Sequence, residues 1–73
     1  MLMQTTRLIT MANQIGDFFK SIPDEAQAKE DIAQHLIKFW AASMRTQLVH
    51  DVQNNAADDL MPLVRDAVLK HLQ

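Results

Sequence analysis

The chain has 73 residues, a formal net charge of −2 and no cysteine. That length holds one domain, residues 1–73, which buries only about 60–65% of its unfolded surface. The absence of thiols excludes disulfides, thiolate zinc sites and Fe–S ligation, the acidic balance argues against a dedicated nucleic-acid binder, and one Gly with two Pro leaves little turn material for an all-β fold.

Met1 to Thr10 carries one Arg and no apolar run long enough for a secretion signal. Nothing along the chain approaches the roughly 18 apolar residues that span a bilayer. The expected location is therefore the cytoplasm, with no membrane partner.

The first predicted helix runs from about Thr6 to Ser21. With Leu8 at zero on a helical wheel, Met11, Ala12, Ile15, Phe18, Phe19 and Ile22 fall within about 120° of arc. Thr5 or Thr6 suits the cap position. Gly16 interrupts this helix at a cost of about 1 kcal/mol relative to Ala. It is either a neutral surface position or a point where another backbone comes close. Its place beside Ala12 and Ile9, at the stripe's edge, favours close approach.

Ser21-Ile22-Pro23-Asp24 ends that helix, because Pro23 cannot continue it. A second helix is predicted from about Asp24 to Trp40, with Ser21 as a weak cap signal. Its apolar residues Ala28, Ile32, Ala33, Leu36, Ile37, Phe39 and Trp40 span about 180°. So wide a stripe makes it the fold's central helix, or one that also meets a partner.

The phase changes around Ala41-Ala42-Ser43. Met44, Leu48 and Val52 mark a third helix from about Ala42 to Gln53. Arg45 falls inside the apolar arc of this helix. It either lays its stem on the core and reaches outward, or pairs with a carboxylate or carbonyl on a partner. The polar stretch Gln53 to Asp59 breaks the pattern. Met61-Pro62 then opens a fourth helix whose apolar arc, with Leu63, Val64, Ala67, Val68 and Leu72, is again about 180°. The fold class predicted is all-α, a small compact bundle of about four short helices.

Catalytic chemistry is scarce. His35, His50 and His71 lie on three different predicted helices, with no ligand spacing that joins two on one face. His50 and Asp51 are neighbours whose side chains are expected to diverge. Asp24-Glu25 and Asp58-Asp59 read as helix-start and loop charges. Ser21 and Ser43 have no triad around them, and one Gly makes no phosphate-cradling loop. No catalytic residue, metal ligand or cofactor-binding residue is expected on this chain.

The aromatic residues Phe18, Phe19, Phe39 and Trp40 carry more information. They are read first as core, yet four short helices cannot hide two 180° stripes from water. Some apolar surface is left over, and such a patch marks a partner site. The isolated chain is therefore expected to self-associate or to be only marginally stable. A helix-turn-helix reading is disfavoured, since the fourth helix offers only Arg65 and Lys70 as cations.

Two strings are stricter than helix packing demands. One is Met11-Ala12-Asn13-Gln14-Ile15-Gly16-Asp17-Phe18-Phe19. The other is Lys38-Phe39-Trp40 followed by Met44-Arg45. With Pro23-Asp24, Ile32, His35 and the Leu60 to Pro62 start of the last helix, they resemble the delta subunit of bacterial NAD-dependent formate dehydrogenase, from about Leu8 to Leu72. This chain has Ala42 where that family often has Pro, and Met61 where it often has a Ser or Thr cap. Softer helix breaks are expected at both places.

The resemblance implies a non-catalytic accessory subunit of a cytoplasmic complex that oxidises formate and reduces NAD⁺. The large subunits of that complex carry the metal–pterin centre, Fe–S clusters and flavin. The implied role is support of holoenzyme assembly or stability. The alternatives are a transient assembly factor for the catalytic subunit and an unrelated small helical interaction module. The residues expected to meet a large formate dehydrogenase subunit are Asn13, Gly16, Lys38, Phe39, Trp40, Met44 and Arg45.

Overall fold

A computed structural model describes residues 5–72. Among them four helices follow one another: α1 (Thr5–Phe19), α2 (Glu25–Phe39), α3 (Ala42–Gln53) and α4 (Pro62–His71). This is the all-α bundle that the periodicity predicts. Every pair of helices touches, and α2 packs most extensively on α4.

The helix ends show why the breaks fall where they do. Thr5 and Thr6 are both already helical, so neither caps α1, and the cap position lies outside the described residues. α1 stops at Phe19, short of Ser21, after a last turn closed by the Lys20 N–H on the Gly16 carbonyl. Asp24, not Ser21, caps α2. Its backbone is extended and its carboxylate accepts the N–H groups of Ala26 and Gln27 at 3.0 and 3.3 Å.

The α2–α3 break is sharp without a proline. Trp40 and Ala41 both take extended backbone, at ψ 143° and 147°. At the other end of α3, Asn55 adopts a left-handed conformation at φ 57°. There the Ala56 N–H reaches the Asp51 carbonyl at 2.8 Å and the Asn55 N–H reaches Val52 at 3.3 Å. These paired bonds satisfy carbonyls that a helix end otherwise leaves open. Pro62 occupies the first turn of α4, where its missing N–H costs nothing.

Leu8, Ile32, Leu36, Leu48, Val64 and Val68 are the largest fully buried side chains, and all four helices supply at least one. Burying each contributes about 1.5–3 kcal/mol relative to leaving it in water. Ala12 and Ala67 let the helices approach closely among them. Lys29 on α2 reaches Asp66 on α4 at 3.8 Å, a long and partly exposed ion pair of little energetic weight.

Among the described residues Asp51 is the buried charged one, only 4% exposed. It accepts the Thr5 hydroxyl and the Gln47 amide, each at 2.9 Å, and so ties the start of α1 to α3. His50 does not diverge from it: Nδ1 stands 3.8 Å from the Asp51 carboxylate, with the ring itself exposed.

Candidate docking surface

The two wide apolar arcs are only partly covered. On α2, Ala28, Ile32, Ala33 and Leu36 are buried, but Ile37 and Phe39 are exposed. On α4, Val64, Ala67 and Val68 are buried while Leu69 stays exposed. The largest exposed apolar groups are Phe18, 77% exposed, and Phe39, 71% exposed.

These two phenyl rings end one continuous ladder. Phe18 meets Phe19 edge to face at 5.0 Å, and Phe19 meets His35 at 6.0 Å. His35 in turn stacks on Phe39 at 4.7 Å with the planes 44° apart. Phe18 and Phe19 come from the end of α1. His35 and Phe39 lie one turn apart on α2, where i and i+4 share a face.

Open hollows flank the Phe19–His35 contact. One, about 290 Å³, is lined by Met11, Ile15, Phe18, Phe19, His35 and Trp40 with Gln14 at its rim. The other, about 250 Å³, is lined by Phe19, His35 and Phe39 with Asp31, Gln34 and Lys38.

Most of the residues expected to meet a partner also have duties inside the fold. Trp40 is core, 7% exposed. Gly16 is buried: a Cβ there would stand 2.6 Å from Val64 Cγ2 and 2.9 Å from Met61 Sδ. The close approach foreseen at Gly16 is real, but it comes from α4 side chains and not from a backbone. Asn13 clamps the start of α4. Its Nδ2 donates to the Asp59 carbonyl at 2.9 Å, and its Oδ1 accepts the Met61 N–H at 2.8 Å. This clamp holds the chain where α4 begins, although no side chain caps the helix itself.

Arg45 pairs with carbonyls of its own chain. Its Nη1 donates to Trp40 at 2.6 Å and to Ile37 at 3.1 Å, at the carbonyl end of α2. Met44 is half-buried against the core. Of the expected set, Lys38 and Phe39 are left plainly on the surface.

The composition of the described residues limits the chemistry. No group of three or more His, Asp or Glu that can hold a metal occurs among them. None of their helices is long and apolar enough to cross a membrane.

A family model for the NADH-dependent formate dehydrogenase delta subunit, FdsD, matches residues 7–68. The chain belongs to this family. The match takes in most of α1, all of α2 and α3 and most of α4, and every residue of the aromatic ladder lies within it. No curated protein and no solved structure matches the chain significantly. A delta subunit is one component of a larger formate dehydrogenase. The family thus gives this small bundle larger subunits as its neighbours.

Sequence reasoning placed Phe18 on the core-facing stripe and did not join His35 to the aromatic residues. The signal was faint: Phe18 lies at the very edge of the 120° stripe of α1, about 100° from Phe19. The i, i+4 pair His35 and Phe39 is a second such mark.

Proposed function

We propose that this chain is a non-catalytic accessory subunit of an NAD-dependent formate dehydrogenase, which docks on a larger subunit through the Phe18–Phe19–His35–Phe39 ladder and supports holoenzyme assembly or stability. One observation carries the reading. A bundle that seals Leu8, Leu36, Leu48 and Val68 from water leaves two phenyl rings at 77% and 71% exposure on one ladder. Exposed aromatics gathered in this way suit a protein interface better than a water-facing surface. Lys38, beside Phe39, lies at the rim. Arg45 and Trp40 act behind the surface by fixing the α2–α3 corner that presents Phe39.

The test is purification of the complex from its native host with this chain tagged or deleted. The expected result is stoichiometric retention of the tagged chain through gel filtration, and lower yield or thermal stability of the complex without it. A complex of unchanged yield, activity and thermal stability after deletion rejects the role. A chain that binds the isolated catalytic subunit but is missing from the mature complex is instead a transient assembly factor.

A further inference from the structure

Resting on that reading, the geometry points to the form of the occupant: an amphipathic helix of a larger subunit, which lays an apolar face along the α1–α2 ladder and sets a carboxylate against Lys38. The described residues contain no strand, so no sheet edge is offered to an extended peptide. Recognition of an amphipathic helix by side chains in a groove needs no sheet edge.

The α1 side of the surface is long enough for about two turns of a docked helix. Met11, Ile15 and Phe18 follow one another at i, i+4 and i+7, which is about 10 Å along α1. His35 and Phe39 form the opposite wall from α2. The Phe19–His35 contact divides the floor into its two hollows. Two apolar side chains about one turn apart on a docked helix place one anchor on each side of that contact.

Charge sets the place of the carboxylate. At the Phe18 end, Lys20 is paired with Asp17 at 3.2 Å. At the Phe39 end, Lys38 lines the hollow and takes part in none of the ion pairs found among the described residues. Asp31 lies two turns back from Lys38 on α2, with one oxygen occupied by the Gln27 amide at 2.8 Å. An acidic residue is thus favoured over Lys38 and disfavoured over Asp31, which sets where along the groove the docked helix carries its carboxylate.

The experiment uses the intact complex and the purified complex lacking this chain. A photoreactive benzophenone residue at position 18 or 39 is irradiated in the holoenzyme, and the cross-linked peptide is sequenced. The expected partner is a helical, apolar segment of a larger subunit, with Asp or Glu within a turn of the site joined to position 39. Phe18→Ala and Phe39→Ala are each expected to weaken binding to the depleted complex tenfold or more, with the helical circular dichroism unchanged. Lys38→Glu is expected to weaken it tenfold or more at low salt, and less as salt rises. Cross-links to a second copy of this chain, or to a segment without an acidic residue, overturn the inference. Wild-type affinity in the Lys38 and both Phe variants also overturns it, while docking as such stands. Failure of the wild-type chain itself to bind the depleted complex removes the underlying reading instead.

Discussion

Arg45 holds the carbonyl of Trp40 at 2.6 Å, so the first turn of α3 caps the last turn of α2. The same Nη1 takes the Ile37 carbonyl at 3.1 Å. A guanidinium at a helix C-terminus meets both the open carbonyls and the negative end of the dipole. This explains a sharp corner at Trp40-Ala41 that has no proline to enforce it.

Arg45→Ala is accordingly expected to destabilise the isolated chain by about 1–2 kcal/mol, the loss of charge-assisted bonds at a partly exposed site. Arg45→Lys should recover only part of this, because an ammonium lacks the planar fork. Chemical denaturation reads both as a lower midpoint at unchanged slope. An unchanged midpoint with weakened binding to the complex would return Arg45 to the partner surface.

Gly16 on α1 faces Val64 on α4 with no room for a Cβ between them. Gly16→Ala gains about 1 kcal/mol of helix propensity but drives a methyl to within 2.6 Å of a branched, buried side chain. Overpacking of that kind costs about 1–3 kcal/mol, so the net expectation is a loss. The double variant with Val64→Ala removes the nearer obstacle and leaves the flexible Met61 thioether, which can swing aside. A double-mutant cycle should show Gly16→Ala becoming neutral or stabilising in that background. Equal effects in both backgrounds contradict the steric account.

Asn55 is the left-handed residue that lets α3 stop. Glycine takes this conformation without strain, and a β-branched residue takes it at a cost of about 1–2 kcal/mol. Asn55→Gly should raise the melting temperature slightly and Asn55→Val should lower it. At this chain length each kcal/mol shifts the midpoint by about 4–8 °C. A Val variant that melts with wild type would mean the turn has another conformation.

Local features were legible in the sequence, and long-range ones were not. The α3 range Ala42–Gln53 agrees with its prediction, because Gln53 to Asp59 loses apolar periodicity within a few residues. Pro23 and Pro62 mark boundaries by chemistry that acts on neighbouring residues. Asn13 and Arg45 were visible as odd residues, but their partners were hidden. Asn13 meets Met61 across 48 positions, a distance that no window along the chain spans. Asp51 had a fainter mark. It falls seven residues after Met44 and three after Leu48, on the buried stripe of α3, where a carboxylate needs donors of its own. Thr5 and Gln47 supply them.

Phe39 and Trp40 are adjacent aromatics with opposite surroundings, and their alanine variants should separate fold from function. Trp40 packs in the core at 7% exposure, while Phe39 stands 71% exposed with His35 stacked beneath it. Trp40→Ala removes a large buried ring and is expected to cost about 3–5 kcal/mol. A chain this small has little more than that to lose, so the variant should be largely unfolded by circular dichroism. Phe39→Ala removes a ring that touches mostly water. It should shift stability by less than about 1 kcal/mol, chiefly through its contact with His35. In the complex the order reverses in what it reveals. Phe39→Ala stays folded yet should be lost from the holoenzyme during gel filtration, while Phe39→Leu, which keeps an apolar group in the hollow, should be retained. A folded Phe39→Ala chain that co-purifies like wild type would place the docking surface elsewhere, with the exposed Ile37 and Leu69 the next apolar groups to test.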